Sequence, residues 1–300
     1  MNRATIDIGS NSILLLIVSS DGAVLHDEAR VVGLGKGLGD RGLLQPQRMD
    51  AALAVLSDYA ALAAQHSVPA WMVKAVATSG ARRALNARAF LERVRTRTGL
   101  RVRVVSGEEE AWLTWAGARA DLRLPGGPLA VVDPGGGSTE LVLGEGERVA
   151  MQLSLELGVV RLTERHFGPD PVRYRPQQLA RLRAEVRGIL DGIQWSTHPR
   201  ALIAVAGTVT TIAAMHRGLK TWQRDVIHGS RLSRGVFRRW VDRLLDSSPS
   251  ERREWAAVAP QRADYLLAGA CLLEEFCTAA HRDSLLVSDG GVRYGLLHEY

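Results

Sequence analysis

The chain reads as an α/β protein of two domains, and three observations predict it. Apolar β-type runs alternate with Ala/Leu-spaced helical stretches, and polar Gly/Ser/Thr turns sit at the strand ends. One such turn also occurs twice, as Asp7-Ile8-Gly9-Ser10-Asn11-Ser12 and as Asp133-Pro134-Gly135-Gly136-Gly137-Ser138-Thr139-Glu140. The repeat divides the 300 residues near their middle, in a chain longer than one compact unit usually runs. Leu124-Pro125-Gly126-Gly127-Pro128 has linker composition, so the domains are expected at 1–122 and 128–300.

In order along the chain, Ala4–Ile8 and Ile13–Val18 are the strands flanking the first turn. A glycine-broken loop follows, Gly33-Leu34-Gly35-Lys36-Gly37-Leu38-Gly39, and then a helix from about Pro46 to His66. A strand at Trp71–Ala77 ends in Thr78-Ser79-Gly80, a helix runs through Arg82–Thr98, and a strand covers Val102–Val105. The acidic turn Ser106-Gly107-Glu108-Glu109-Glu110 opens a helix over Ala111–Asp121. The second half repeats the theme. Leu129–Val132 and Leu141–Leu143 flank the second turn, strands continue to about Ser154, and helices are expected at Val159–His166 and Pro176–Trp195. A strand at Ala201–Ala206 ends in Gly207-Thr208-Val209-Thr210-Thr211 ahead of another helix.

Bulk properties narrow the class. Hydrophobic content of 46% and charged content of 23% are ordinary for a globular protein. Ile13–Val18 is far too short to span a membrane and the N-terminus runs straight into a strand, so a cytoplasmic protein with no membrane partner is expected. Cys271 and Cys277, six apart in a Leu/Ala-rich helical stretch, do not face each other as a metal pair would and read as core fillers. The net charge of +6, carried mostly by arginine, favours an anionic partner without choosing one. No nucleic-acid motif accompanies it.

The repeated turn is where chemistry is expected. Glycines let a backbone approach a ligand, Ser10, Asn11, Ser12, Ser138 and Thr139 can donate hydrogen bonds, and Asp7 and Asp133 can hold a hydrated cation. Three adjacent glycines at a strand end, Gly135 to Gly137, are costly in entropy unless backbone N–H groups must cradle an anion. In the acidic turn, capping at a helix N-terminus explains part of the charge, and one carboxylate placed at an inter-domain cleft would orient or deprotonate a water. Arg82 and Arg83 at a helix start would oppose its dipole, which points to phosphate as their partner. Gly207-Thr208 offers a helix N-terminus to an anion.

Together with Ala77-Thr78-Ser79-Gly80-Ala81-Arg82, His228-Gly229, Arg262-Ala263-Asp264 and Ser288-Asp289-Gly290-Gly291-Val292-Arg293, these motifs resemble, in order, the exopolyphosphatase/guanosine pentaphosphate phosphohydrolase family. The resemblance runs through almost the whole chain. It implies two ribonuclease H-like domains of the actin, sugar kinase and heat-shock chaperone ATPase superfamily with a cleft between them. It implies phosphate binding by Gly9, Ser10, Asn11, Ser12, Gly135, Gly136, Gly137, Ser138, Thr139, Gly207 and Thr208. It further implies Mg²⁺, or Mn²⁺, organised by Asp7, Asp133 and Glu140, a phosphate clamp at Arg82, and a water-activating glutamate at Glu110 or Glu109, with Glu110 favoured.

The expected activity is Mg²⁺-dependent removal of the terminal phosphate of inorganic polyphosphate, with shorter chains favoured because the C-terminal helical domains of longer members are not matched. Guanosine pentaphosphate 5′-phosphohydrolysis is the alternative, and a non-catalytic polyphosphate or alarmone sensor a third reading. No adenosine-pocket signature supports a kinase. A homodimer is expected by family analogy alone. Leu14 stands where the family often has a basic residue, Pro134 replaces an aliphatic one, Gly80 an alanine, and Lys36 an acidic one.

Overall fold

A computed structural model of the protein describes every residue except Gly39, Asp40, Arg41, Asp170 and Ala256, so the end of the glycine-broken loop at Gly39 lies outside the described residues. The chain forms two compact units, Met1–Gly117 with Val292–Tyr300, and Ala118–Gly291.

The first unit is built on β1 (Arg3–Ile8), β2 (Ser12–Val18), β3 (Val24–Val31), β4 (Lys74–Ala77) and β5 (Val102–Val104), in the order β3-β2-β1-β4-β5. The first three form an antiparallel meander, and β4 and β5 run parallel to β1. Its helices are α1 (Pro46–Gln65), α2 (Ser79–Arg83), α3 (Ala87–Thr98) and α4 (Gly107–Ala118). Strand alternation sorts the side chains. Ile6, Ile8, Leu15 and Ile17 pack with Leu56 and Tyr59 of α1 and Phe90 and Val94 of α3. Leu16 and Val18 face the other way. β3 was not expected from the sequence. Val24-Leu25-His26-Asp27-Glu28-Ala29-Arg30-Val31 is a half-exposed edge strand with polar residues on both faces, so it carries no clean period of two.

The second unit has β6 (Leu129–Pro134), β7 (Thr139–Glu145), β8 (Arg148–Leu155), β9 (Ala201–Ala204), β10 (Arg231–Ser233) and β11 (Ser284–Val287), ordered β10-β11-β9-β6-β7-β8. The first unit's order recurs here as β8-β7-β6-β9-β11, with β10 added antiparallel at the edge. The turn repeated in sequence is therefore part of a repeated fold, and both units are ribonuclease H-like α/β layers. Helices α5 (Val159–Phe167), α6 (Pro176–Asp191), α7 (Ala206–His216), α8 (Arg224–Ile227), α9 (Arg234–Asp246), α10 (Pro249–Arg253) and α11 (Leu266–Ala279) complete it. α11 is buried on nearly every side. Even Glu274 and Glu275 are inside, neutralised by Arg183, Arg187 and Arg238. Cys271 and Cys277 are buried there too, and burial pushes both thiols up to about 12. Native protein is accordingly expected to stay unmodified by a thiol reagent at neutral pH until it is unfolded.

The last segment, with α12 (Val292–Gly295), belongs to the first unit, whereas on sequence alone the second domain is expected to continue to residue 300. Arg293 grips Asp27 of β3 through Nε at 2.8 Å and a terminal nitrogen at 3.0 Å, and the Tyr294 hydroxyl donates to the same carboxylate at 2.8 Å. Thr5 Oγ donates to the Arg293 carbonyl at 2.7 Å, which is how a threonine comes to be fully buried in β1. Arg293→Met would strand Asp27 beside a buried surface and is expected to cost about 3 kcal/mol in urea unfolding. Among the described residues no helix is long and apolar enough to cross a membrane.

Candidate active site

In the first unit β1 ends at Ile8 and β2 begins at Ser12, so Gly9, Ser10 and Asn11 make the whole turn, closed by the Gly9 N–H on the Ser12 carbonyl at 2.9 Å. The Ser10 carbonyl accepts the Gly35 N–H at 2.7 Å, and the Asn11 carbonyl accepts those of Val32 and Gly33 at 2.9 and 2.8 Å. In a trans peptide the N–H points opposite to its C=O. Tying these carbonyls to the loop after β3 therefore turns the following amides, those of Asn11 and Ser12, away from that loop. Among the described residues no acceptor takes the N–H of Ser10 or Asn11. Two glycines make this packing fit: a Cβ on Gly35 would lie 3.0 Å from Ser10 Cβ, and one on Gly80 would lie 2.9 Å from Ser10 Oγ.

The second unit does the same with different partners. Gly135 accepts the Val159 N–H at 2.9 Å, and Gly136 accepts those of Val160 and Arg161 at 3.1 and 3.3 Å. The first-turn amides of α5, which have no partner inside their own helix, are thus satisfied by the loop. The same peptide geometry turns the Gly136 and Gly137 N–H groups away from α5. No described acceptor takes the N–H of Gly136, Gly137 or Ser138. Successive amides left open in this way are an anion-binding arrangement.

Back in the first unit, Glu110 lies in the first turn of α4 and is buried. Arg82 donates to its Oε2 at 2.8 Å and to the Val105 carbonyl at 3.1 Å. Burial pushes the Glu110 carboxyl above its ordinary value, while Arg82 and a hydrogen bond from Thr78 pull against it. Glu109 is one residue earlier and so rotated about 100° around the helix. It faces outward and pairs with Arg103, which also pairs with Glu299. The helix begins at Gly107, earlier than the Ala111 expected, with the Ser106 hydroxyl accepting the Glu109 N–H at 3.1 Å. Arg82 and Arg83 are likewise not at a helix start. They close the five-residue α2, where a cation suits the dipole, so the dipole reasoning that singled them out does not hold.

A family model described as the Ppx/GppA phosphatase family matches residues 16–300. The chain belongs to the Ppx/GppA phosphatase family. It is 34% identical over 311 residues to Exopolyphosphatase 2 of Mycobacterium tuberculosis, covering 98% of this chain and 96% of that protein. The solved Aquifex aeolicus PPX-GPPA enzyme is 33% identical with a TM-score of 0.82, covering 100% of this chain and 99% of the other. An exopolyphosphatase from Cytophaga hutchinsonii is 26% identical with a TM-score of 0.89, covering 99% and 97%. Membership makes this protein a phosphoanhydride hydrolase.

For a Ppx/GppA phosphatase the remaining residues sort into two groups. Asp133 and Glu140 are direct cross-strand partners on β6 and β7, so their carboxylates share a face. Glu140 is buried, and its Oε1 accepts the Ser138 hydroxyl at 2.8 Å and the Ser154 hydroxyl at 2.9 Å. Asp7, opposite Leu14 on β2, belongs to the other unit. Among the described residues no group of three or more His, Cys, Asp or Glu is assembled to hold a metal by protein ligands alone. Two hard oxygen donors completed by phosphate oxygens and water are a fit for Mg²⁺, which rarely takes an all-protein cage. At Gly207-Thr208 the chain enters α7 through Ala206 at φ +75°, a strained value for alanine. Arg262 lies against this turn: it donates to the Gly207 carbonyl at 3.2 Å, and a Cβ on Gly207 would come within 2.5 Å of its Cζ.

The other family motifs brace the fold. The Asp289 N–H donates to His228 Nδ1 at 3.1 Å and the Gly229 N–H to the Val287 carbonyl at 2.8 Å, so the His-Gly and Ser-Asp-Gly-Gly segments hold each other. Burial, with Arg224 beside it, keeps His228 below its ordinary pKa. Sequence reasoning missed Gly158, Gly35 and Ser154, which support the two loops from behind. Only Gly35 carried a signal, as part of a loop too glycine-rich to be explained by one turn.

Proposed function

We propose that this protein is a divalent-metal-dependent exopolyphosphatase that hydrolyses the terminal phosphoanhydride of inorganic polyphosphate, with Mg²⁺ as the ion and Glu110 as the general base. The observation that carries the reading is the matched pair of loops, each with its carbonyls tied behind it and adjacent amides open. Gly9 to Ser12 in one unit and Gly135 to Thr139 in the other are read as phosphate cradles, with Gly207 and Thr208 as a further helix-terminus contact. Identity to a named exopolyphosphatase at 34% supports polyphosphate over other phosphoanhydrides.

The residues divide the work as follows. Glu110 accepts a proton from water as its oxygen bonds to the terminal phosphorus and the bridging P–O bond breaks, releasing orthophosphate and a chain one unit shorter. Arg82, bonded to Glu110, keeps that carboxylate ionised and oriented and clamps phosphate beside it. Open amides on the loops neutralise charge on the equatorial oxygens without reorganising. Asp133 and Glu140 are the carboxylates of the second unit read as binding Mg²⁺, and Asp7 is read separately as the corresponding carboxylate of the first unit; the ion would supply charge neutralisation on phosphate oxygens. Ser138 and Ser154 fix the Glu140 orientation.

Phosphate release from short and long polyphosphate, guanosine pentaphosphate and ATP, measured in parallel with Mg²⁺ and after chelation, tests this. Metal-dependent release from polyphosphate is expected. Release from guanosine pentaphosphate alone would replace the substrate, and binding without release from any of the four would make the protein a sensor.

A further inference from the structure

Gly295 closes α12 at φ −59° and ψ −37°, helical values that alanine adopts freely, so its backbone conformation does not require a glycine. Its neighbour does. A Cβ on Gly295 would overlap the Leu113 carbonyl oxygen and lie 2.7 Å from the Leu113 carbonyl carbon and 2.9 Å from its Cα. All three are backbone atoms of α4. The two helices of this unit therefore meet main chain to main chain, with no side chain between them and no rotamer to yield. Leu113 is three residues after Glu110, and residues three apart on a helix share a face, so the contact lies one turn from the carboxylate read as the base.

The segment that makes this contact is itself held firmly. Arg293 and Tyr294 are bonded to Asp27, Thr5 donates to the Arg293 carbonyl, and at the far end the Tyr300 hydroxyl donates to the Met72 carbonyl at 2.7 Å. Val292 and Leu296 pack with Leu113, Val76 and Val105 in one small buried cluster. The cluster reaches the partner of Glu110 as well. The Val105 carbonyl accepts from Arg82 at 3.1 Å, and Val76 lies on β4, whose end leads through Thr78 into α2. On its outward side α4 is touched more lightly, where the Trp112 and His298 rings meet edge to face with centroids 6.3 Å apart.

We infer that the segment Val292–Tyr300 sets the position of the Glu110 carboxylate against Arg82, with Gly295 as the positioning residue that lets α12 hold α4 by its backbone. This rests on Glu110 being the general base and adds how its place is fixed. A base works only within hydrogen-bond reach of the proton it takes. Sliding α4 changes that reach and leaves the Gly9–Ser12 turn, which is tied to the loop after β3, where it is. The position of α4 therefore acts on kcat and not on KM.

Gly295→Ala tests this with inorganic tripolyphosphate as substrate. A misplacement of about 1 Å costs roughly a hundredfold in rate, and the overlap is shared between two helices, so kcat is expected to fall about tenfold with KM unchanged. Arg82 and Thr78 hold the Glu110 carboxyl down against its burial. Drawing α4 away from them should move the acidic limb of kcat to higher pH, a shift that a mere loss of stability does not produce. Val292→Ala is the second variant. It trims the cluster against Leu113 without adding an atom, and it should change kcat and the limb in the same directions by less; it decides the matter if Gly295→Ala does not fold. Val94→Ala makes the same deletion in α3, in a separate cluster, and should keep wild-type kcat and limb while losing stability. If Glu110→Gln loses kcat but the variants at 295 and 292 keep it, the base stands and the positioning inference is wrong. A fall in kcat with the limb unmoved, or with KM rising in step, overturns it too. If Glu110→Gln itself keeps wild-type kcat, the base reading has failed and this inference falls with it.

Discussion

Glu110→Gln is expected to lower kcat by a factor between roughly 10² and 10⁴, the usual contribution of a positioned general base, while tripolyphosphate binding survives. The amide has the shape of the carboxyl and its oxygen can still accept from Arg82, so the first turn of α4 should keep its geometry. Only the proton acceptor is removed. Glu109→Gln, on the outward face with Arg103, should stay within about twofold of wild type, since it breaks only a surface pair. The pH profile adds an independent check. Burial raises the Glu110 carboxyl more than Arg82 and Thr78 lower it. The base is therefore lost as pH falls through a value above the ordinary carboxylate range. Wild-type kcat should show an acidic limb there, and the Gln variant's residual activity should lack it. The linkage to stability has the same origin. A carboxyl whose folded pKa is raised binds its proton more tightly folded than unfolded, so its contribution to stability declines as pH rises from the unfolded to the folded value. Equal kcat in the Gln variant and wild type would remove Glu110 as the base.

Much of this architecture is written locally in the chain. The alternation of apolar runs and helical stretches, and the turn repeated at Asp7 and Asp133, are short-range signals, and they carry through to two sheets of one topology. What the residues alone leave open depends on distant partners. Arg293 reads as one more motif arginine until its partner, Asp27, is found 266 positions away on a strand with no clean alternation. Glu109 and Glu110 are indistinguishable as a charge run, and only the rotation of α4 against Arg82 and Arg103 separates a buried carboxylate from a surface one. The break at Ala84–Asn86 that puts Arg82 and Arg83 at the end of a short helix is equally hidden, because Ala-Leu-Asn-Ala reads as continuous helix. Gly158 is the plainest example. A glycine ahead of an apolar helix looks like ordinary spacing, and its purpose shows only in what lies against it.

Gly158→Ala is the second substitution expected to have a large effect. Gly158 sits at φ −82° and ψ 140°, a conformation alanine adopts freely, so no backbone strain enters. The single added carbon, however, would overlap the Gly136 carbonyl oxygen and the Gly137 Cα and carbonyl carbon. All three are backbone atoms with no rotamer to move into. Relief requires that the loop shift from α5 or that α5 shift from the sheet. The loop is the softer partner, because it is held there by the Val159, Val160 and Arg161 amides, whereas α5 is anchored by Val159, Val160, Leu162 and Phe167 in the core. Displacing the Gly135 and Gly136 carbonyls would undo the orientation that leaves the Gly136 and Gly137 amides open. The expected result is at least a tenfold loss of tripolyphosphate affinity together with a stability loss of about 1–3 kcal/mol from overpacking. Gly188→Ala in α6 is the control, since an added carbon there meets nothing within 4 Å. It should stabilise by about 0.5–1 kcal/mol through helix propensity. Urea unfolding and phosphate-chain titration on both variants separate the two effects: if Gly158→Ala binds as wild type does, the amides of the second loop are not what holds phosphate.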